Sequence, residues 1–304
     1  MQWRGVMPAM TTAFDEAFKV DHAFVARHAR WLLANGCTGI VGLGSLGEAA
    51  TLTFAEKIAV AKTIVSAASP NIPVIGAVSA LSTAEAVELA QALFDAGVEG
   101  LMILPPYVYK GDWRESRAYI AAILKATPIE AMLYNNPIAY GTDFIPEYVA
   151  DLAHEFSNLA AVKESSTDVR RVTAIRSLIA DRLAIFVGVD DAIVEGIEAG
   201  AVGWIAGLVN AFPRESVDLF NFAIEGRKQE AFELYRWFLP LLRMDTVPKF
   251  VQLIKQVQEE SQTGSARVRP PRLTIEGTEL AEVRSAVAHA MAHRPAAARA
   301  STAF

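Results

Sequence analysis

Eight short apolar runs alternate with segments of helical periodicity along this chain. The runs lie at residues 6–11, 39–43, 73–78, 100–104, 131–134, 159–162, 184–187 and 202–206. Strands that are apolar on both faces and alternate with helices are typical of a parallel sheet covered by helices, because a crossover helix must return the chain to begin each next strand. Eight such units predict an α/β fold of the (β/α)8 type, also called a TIM barrel.

A doubly wound open sheet is the alternative architecture for alternating strands and helices. Such a sheet usually carries a phosphate-binding, glycine-rich turn directly after its first strand. No turn of this kind follows residues 6–11, and eight strands exceed the usual number. The closed barrel is therefore favoured.

The apolar runs stop after Pro213, and four amphipathic helices are predicted instead. These helices lie at residues 215–226, 228–242, 246–259 and 280–292. The barrel is therefore predicted over residues 1–225, with a C-terminal helical appendage over residues 226–293. Residues 294–304 are rich in Ala, Arg, Ser and Thr, and we expect this tail to be frayed.

The composition favours a protein that acts on small molecules over one that binds nucleic acid or membranes. The 304 residues carry a formal net charge of −6 and a pI near 5.5, so the chain lacks the basic surface that binds anionic polymers. No apolar run reaches the ~18 residues that a membrane span needs, and the N-terminus has no signal-peptide pattern. Cys37 is the single cysteine, which suits a reducing cytoplasm.

Polar side chains follow several of the predicted strands, at the edge where (β/α)8 barrels hold their reacting groups. These residues are Ser45, Glu48, Ser79, Tyr107, Tyr134, Lys163, Asp190, Asp191 and Asn210. The five histidines instead fall in predicted helices, so no cluster of metal ligands is visible. We therefore expect no metal site.

Lys163 comes directly after the apolar run at residues 159–162. Burial disfavours an ammonium ion, so a lysine at this position has its pKa lowered toward neutrality, where part of it is free amine. A free amine attacks ketones and forms a Schiff base. The alternative is structural: Lys163 pairs with Glu164, or its side chain extends from the strand end to water.

Two further motifs suit this chemistry, a glycine-rich turn and a tyrosine before a proline. The turn at residues 42–48, GLGSLGE, can offer backbone N–H groups to a substrate carboxylate. It lacks the lysine of a phosphate loop and the acidic partner of a dinucleotide site, and we expect Glu48 to hold the loop by hydrogen bonds. Tyr134 begins the sequence YNNP, which places its phenol at the barrel mouth unless it is a core tyrosine.

Three motifs together resemble those of one enzyme family. GSLGE at residues 44–48, YNNP at 134–137 and KESS at 163–166 match motifs of the dihydrodipicolinate synthase and N-acetylneuraminate lyase family, in order and at strand ends. Its members are class I Schiff-base aldolases and dehydratases on a (β/α)8 barrel, and the resemblance covers residues 3–260. It implies an enzyme that assembles as a dimer of dimers, a homotetramer, without a cofactor.

The resemblance implies roles for individual residues. Lys163 would form the imine with a 2-oxo acid, Tyr134 would relay protons, and Ser45 occupies the hydroxyl position of that relay. Tyr107 matches a tyrosine that the family contributes across a dimer interface. The implied substrate-binding residues are Gly44, Leu46, Gly47, Asn136, Ala139 and Ile205.

Two departures from the family pattern bear on the substrate. Ala139 stands where dihydrodipicolinate synthases carry the arginine that grips the carboxylate of aspartate semialdehyde, and alanine cannot hold a carboxylate. Leu46 replaces the second threonine of the loop and removes a hydroxyl group. Both departures argue against a role in lysine biosynthesis.

The YNNP motif followed by Tyr140 and Gly141 most resembles relatives that remove the 4-hydroxyl of a 2-oxo or cyclic imino acid to give 2-oxoglutarate semialdehyde. We expect 1-pyrroline-4-hydroxy-2-carboxylate deaminase activity. A 2-keto-3-deoxy-pentonate dehydratase and a pyruvate-dependent aldolase or synthase are the alternatives. A non-catalytic binding protein of this family would normally lack Lys163 or Tyr134, and both are present.

Overall fold

Eight parallel strands form a nearly closed barrel. The computed structural model of the protein describes residues 1–106, 108–295, 302 and 304. The strands are β1 Gly5–Pro8, β2 Ile40–Gly42, β3 Val74–Val78, β4 Gly100–Ile103, β5 Glu130–Asn135, β6 Leu159–Glu164, β7 Ala184–Val187 and β8 Gly203–Ala206. Their order in the sheet is β1-β8-β7-β6-β5-β4-β3-β2, and β1 meets β2 at a parallel bridge between Ala9 and Val41. The predicted (β/α)8 barrel is confirmed.

Helices connect the strands and follow the last of them. Within the described residues they are α1 His22–Ala34, α2 Phe54–Ala67, α3 Thr83–Asp95, α4 Trp113–Ala126, α5 Pro137–Tyr140, α6 Pro146–Glu155, α7 Arg170–Ile179, α8 Ile193–Glu198, α9 Pro213–Ile224, α10 Lys228–Leu242, α11 Phe250–Glu260 and α12 Gly277–Ala292. The helix expected from residue 246 begins only at Phe250, because Arg243–Asp245 forms a separate 3-10 turn and Pro248 follows it. In the part of the chain that the structure describes, no helix combines the length and the apolar character needed to cross a membrane.

Capping residues explain where the helices begin. Thr53 accepts a hydrogen bond from the backbone N–H of Glu56, and the Glu56 carboxylate accepts one from the backbone N–H of Thr53 at 2.8 Å. This capping box satisfies backbone donors that the first turn of α2 would otherwise leave free. Ser82 caps α3 in the same way, because its hydroxyl accepts a hydrogen bond from Glu85 N at 3.2 Å.

Burial on both faces of the strands defines the core of the barrel. Every residue of β1, β2, β3 and β4 is buried, and Met7 and Trp204 on the paired strands β1 and β8 are fully buried. Helices cover the outer face, while the inner face packs against the opposite strands. Because all eight strands run in one direction, their carboxyl ends meet at a single mouth.

Two residues of the tail contact the first helix. The rings of Phe304 and Trp31 meet edge-on with 5.3 Å between their centres, and Thr302 N donates to Asn35 Oδ1 at 2.8 Å. Residues 296–301 and 303 lie outside the described residues. The expectation of a frayed tail therefore stays a prediction, as do the predicted domain boundaries.

Candidate active site

Lys163 and Tyr134 lie side by side at the barrel mouth. They are register partners on β6 and β5, and each is the last residue but one of its strand. Side chains at paired positions of neighbouring strands point to the same face. The Lys163 Nζ atom accordingly lies 4.3 Å from the centre of the Tyr134 ring. The strand-end placement expected for both residues brings them together, while their catalytic roles stay predictions.

Lys163 is buried and carries its charge without an ion pair to any described residue. It is 6% exposed, and burial lowers its pKa to about 8, while the more distant carboxylates of Asp245 and Asp190 oppose the shift. A large share of its amine is therefore unprotonated at mildly alkaline pH. Gly188 leaves room for the side chain, since a methyl group there would lie 2.5 Å from Lys163 Cε.

Glu164 is not the partner of Lys163. Successive residues of a strand point to opposite faces, and the Glu164 carboxylate accepts hydrogen bonds from Asn135 Nδ2 at 3.0 Å and from Ser166 N at 2.6 Å. The structural alternative for Lys163, a pair with Glu164, is therefore wrong for the described residues. Glu164 instead ties the ends of β5 and β6 together.

The Tyr134 phenol belongs to a group of hydroxyls. Burial raises the pKa of Tyr134 to about 12, although the hydrogen bond that Asn136 Nδ2 donates to the phenol oxygen at 3.0 Å opposes the shift. Tyr134 is therefore protonated near neutral pH. The Tyr140 ring meets the Tyr134 ring edge-on at 5.7 Å between centres, and the Tyr140 hydroxyl is hydrogen-bonded to Ser45 Oγ.

Tyr140 also lies at the site, although the sequence motifs assigned it no role. It connects the two residues predicted to relay protons, Ser45 and Tyr134. Its signal in the sequence is Pro137, which starts the single-turn helix α5 and returns position 140 to the mouth. The spacing of residues in the YNNP motif does not show that α5 contacts the loop after β2.

The glycine-rich loop after β2 presents free backbone donors. Among the described residues, no acceptor takes a hydrogen bond from the backbone N–H of Ser45 or Leu46. Gly47 is needed because a methyl group there would lie 3.0 Å from Met10 O, and its own carbonyl accepts from Thr12 Oγ1 at 2.7 Å. Free backbone donors of this kind suit a carboxylate. The binding roles expected for Gly44, Leu46 and Gly47 stay predictions.

Glu48 anchors this loop from the side away from the mouth. It adopts a left-handed conformation with φ of 54° and is fully buried. Its carboxylate accepts hydrogen bonds from Lys255 Nζ at 2.7 Å and from Arg269 N at 3.0 Å. The expected hydrogen-bonding role is therefore carried out toward the C-terminal region, and not toward the loop itself.

Asp190 and Asn210, both at strand ends, connect the loops of the barrel. The buried Asp190 carboxylate accepts from Trp204 Nε1 at 3.0 Å and from Leu208 N at 2.8 Å. Asn210 Nδ2 donates to Ala9 O at 2.8 Å. The hydrogen bonds of these two side chains connect the ends of β7, β8 and β1.

The structure describes all but one of the remaining predicted site residues. Ile205 is buried on β8 in register with Met7. Ala139 is exposed at the rim, where its backbone N–H donates to Asn136 Oδ1 at 3.0 Å. Tyr107 lies outside the described residues.

Asp245 is an acid at this mouth that the sequence did not point to. It ends the 3-10 turn Arg243–Asp245, and its carboxylate lies against Gly207, where a methyl group would be 3.0 Å from Asp245 Oδ2. Residues 243–245 fall between two helices predicted outside the barrel, at 228–242 and 246–259, and nothing in the sequence pattern places them at the mouth. The carboxylate reaches the mouth because the 3-10 turn between α10 and α11 lies against the residue that follows β8.

Comparisons with known proteins agree with this geometry. A family model described as the dihydrodipicolinate synthetase family matches residues 2–290. A 4-hydroxy-tetrahydrodipicolinate synthase of Mesorhizobium japonicum is 30% identical over 288 residues, which cover 94% of this chain and 98% of that protein. Its counterpart in Methanothrix thermoacetophila is 31% identical over 242 residues, covering 79% and 81% of the two chains. The solved synthase of Methylacidiphilum fumariolicum shares the fold, with a TM-score of 0.92 at 24% identity over 96% of this chain and 97% of that one.

Proposed function

The chain belongs to the dihydrodipicolinate synthetase family of lyases, and from this premise we propose that it is a 1-pyrroline-4-hydroxy-2-carboxylate deaminase. One observation carries the proposal. A buried lysine without an ion pair lies against a protonated tyrosine, in a mouth where position 139 offers no guanidinium. The site suits Schiff-base chemistry on a small substrate with a single carboxylate.

The first half of the reaction uses Lys163 and the loop after β2. Backbone N–H groups of Ser45 and Leu46 would hold the carboxylate on C2 of the substrate, because they are donors without an acceptor in the described chain. The free amine of Lys163 attacks C2, and the ring C–N bond breaks, so that the imine passes from the ring nitrogen to Lys163. Tyr134, which is protonated near neutral pH, would give the proton that the departing ring amine takes up.

The second half removes the hydroxyl group. Loss of a proton from C3 converts the imine to an enamine, whose electrons expel the C4 hydroxyl as water. This elimination leaves a C3–C4 double bond conjugated with the imine at C2. Loss of a proton from C5 and protonation at C3 move the double bond to C4–C5, which gives an enamine of the C5 amine. Protonation at C4 converts this enamine to an imine, whose hydrolysis releases ammonia and an aldehyde at C5. Hydrolysis at C2 frees Lys163 and gives 2-oxoglutarate semialdehyde. An open-chain 2-keto-3-deoxy-pentonate would lose water by the same steps, which makes its dehydratase the close alternative.

The charges around the mouth support a substrate with one carboxylate. Arg171 follows Lys163 closely in sequence, so it could be thought to replace the arginine that is absent at position 139. Its guanidinium is instead bound bidentately to Asp143, through contacts of 2.5 and 2.8 Å. Arg170 is exposed and paired with Asp168. Asp245 adds an acidic side chain to the mouth and no cation that could pair with a second carboxylate.

One contact favours a second candidate, the 4-hydroxy-tetrahydrodipicolinate synthase reaction for which both curated relatives are named. The Lys110 ammonium lies beside the turn that follows Ala139, since a methyl group at Gly141 would be 2.6 Å from Lys110 Nζ. Lys110 is exposed, so a carboxylate paired with it would gain far less than one in a buried guanidinium pair.

Product analysis separates the two candidates. The purified protein should release ammonia and 2-oxoglutarate semialdehyde from 1-pyrroline-4-hydroxy-2-carboxylate. It should give negligible cyclised product from pyruvate and aspartate semialdehyde, because a charge-assisted pair that is missing costs roughly 100-fold in rate. Ala139→Arg is the matched variant, and we expect it to raise the condensation rate. Efficient condensation by the unchanged protein would overturn the proposal.

We also propose that the enzyme is a cytoplasmic dimer of dimers in which Tyr107 completes the neighbouring site. Three apolar side chains near the mouth are largely exposed in the single chain: Val108 at 79%, Tyr109 at 59% and Ile138 at 70%. An interface would cover them. Light scattering should report four subunits, and Ile138→Glu should shift the mass to a smaller species. A monomer at assay concentrations would contradict this assembly.

A further inference from the structure

Asp245 is the third acid near the end of the barrel, and its setting differs from that of the other two. Asp190 accepts hydrogen bonds from Trp204 Nε1 and from two backbone N–H groups. Asp191 forms an ion pair with Arg243, with 3.5 Å between Nε and Oδ2. Within the described residues, the carboxylate of Asp245 has neither a hydrogen bond nor an ion pair. Of these acids, Asp245 alone has its carboxylate available for a substrate.

The position of Asp245 is set by the strand order. Its carboxylate lies against Gly207, directly after β8, while Tyr134 is on β5 and Lys163 is on β6. In the strand order of the barrel, β5 lies next to β6 on one side, and β8 lies on the other side of β6, beyond β7. An imine formed on Lys163 therefore has a phenol on one side and this carboxyl group on the other.

Charges at the mouth connect Asp245 with the reacting groups. The carboxylate of Asp245 is the foremost charge that opposes the lowering of the Lys163 pKa, and it also raises the pKa of Tyr134. Burial, followed by the negative charge of Asp190, raises the pKa of Asp245 itself well above its usual range. The charged and titratable groups that face it are Lys163, Asp190, Asp191 and Tyr134. Asp245 therefore holds its proton to a higher pH than an ordinary aspartate does, which suits a group that donates a proton.

We propose that Asp245 is a further catalytic residue, the acid that protonates the departing C4 hydroxyl group. The inference rests on the function proposed above. In this step the enamine electrons form the C3–C4 double bond, the C4–O bond breaks, and the oxygen leaves with the proton of Asp245 as water. The Asp245 carboxylate then recovers a proton from solvent. Tyr134 remains the proton donor on the side of the imine.

The test separates the chemistry at C3 from the chemistry at C4. Asp245→Asn keeps the shape of the side chain but has no acidic proton. We expect this variant to exchange the C3 protons of a 2-oxo acid with deuterium, and to be trapped at Lys163 by borohydride, at rates within about threefold of the unchanged enzyme. Loss of water from the 4-hydroxylated substrate should fall by roughly 10²–10⁴-fold, the range for a positioned general acid.

A change of leaving group provides a second, independent measurement. Fluoride departs without a proton, so a 4-fluoro-2-oxo acid should lose fluoride at nearly the same rate in Asp245→Asn and in the unchanged enzyme. Asp245→Glu, which retains a carboxyl group, should recover part of the water loss. Asp191→Asn makes the same chemical change at a neighbouring acid that is already paired, and its rate should stay within about threefold.

Each outcome decides between the two proposals. If the unchanged enzyme loses fluoride but never water, the proposed function fails and the role of Asp245 fails with it. If the unchanged enzyme loses water and Asp245→Asn does so equally fast, only the role of Asp245 is wrong. If Asp245→Asn and Asp245→Glu both lose proton exchange as well as elimination, Asp245 acts before the C4 step or in folding, and the assignment is overturned.

Discussion

Lys163 at the barrel mouth and Lys255 at the junction with the C-terminal region are both buried lysines in opposite settings. Lys163 is 6% exposed and faces the ring of Tyr134 at 4.3 Å. Lys255 is 2% exposed, and its ammonium donates to Glu48 at 2.7 Å and to Thr12 O at 2.9 Å. Burial alone does not distinguish the two residues, but their partners do.

The partners determine what each lysine can do. Burial lowers the pKa of both, yet for Lys255 the adjacent Glu48 carboxylate opposes the shift through direct contact, whereas Lys163 has only the more distant Asp245 and Asp190. A buried ammonium with a matched carboxylate is a structural ion pair. One without such a partner readily becomes a free amine and a nucleophile. Lys255 therefore anchors the loop that contains Ser45, through its pair with Glu48. Lys163 is the proposed nucleophile for a substrate bound at that loop.

The largest effect is expected from removing the nucleophile. Lys163→Ala should abolish both turnover and the borohydride-trapped adduct with a 2-oxo acid, because no other amine lies against Tyr134 in the described mouth. Thermal unfolding should show no loss of stability, since the variant removes a buried charge that lacks an ion pair. Mass spectrometry of the trapped peptides is the measurement. An adduct on a peptide other than the one containing Lys163 would contradict the assignment.

The next effect concerns the aromatic neighbour of Lys163. Tyr134→Phe preserves the ring against the ammonium but removes the phenol proton, so turnover should fall by roughly 10²–10⁴-fold with a smaller change in affinity. Steady-state kinetics separate kcat from KM. Tyr119→Phe, a buried tyrosine on α4, is a matched control for loss of a hydroxyl. Near-normal turnover of Tyr134→Phe would mean that the phenol is structural.

The junction lysine should show the reverse pattern. Lys255→Met leaves the Glu48 carboxylate buried without its main partner, which typically costs about 3–5 kcal/mol of stability. Urea denaturation measures this loss. Adding Glu48→Gln to Lys255→Met should restore part of the stability, because the uncompensated charge is gone. If Lys255→Met were as stable as the unchanged protein, the contrast between the two lysines would not hold.

The smallest effect is the dependence on pH. With the pKa of Lys163 lowered to about 8, adduct formation should rise as pH increases toward 8 and level off above it. The folded-state pKa lies below the ordinary value near 10.4, so the unfolded chain binds more protons between these two pH values. Stability should therefore rise with pH through this window. Lys163→Met should reduce that rise, while Lys255, whose pKa is also lowered, keeps its own contribution. An unchanged pH slope would show that Lys163 is not responsible.

The sequence by itself determined the barrel and the positions of its main reacting groups. Alternating apolar runs and helical segments are local patterns, and the parallel sheet follows from them because each crossover helix returns the chain to the same end. Lys163 and Tyr134 each lie near the end of a run, so their meeting at one mouth follows from the same rule. Family motifs then pointed to Schiff-base chemistry.

Only the tertiary structure decided which side chains surround that pair. The contact of Tyr140 with Ser45 spans 95 positions, and the Lys255–Glu48 pair spans 207. Asp245 reaches the mouth because the 3-10 turn that connects α10 with α11 lies against Gly207 at the end of β8. Periodicity reports the face that a segment buries, but not the surface that it meets. That choice depends on the packing of distant segments, which a local pattern does not contain.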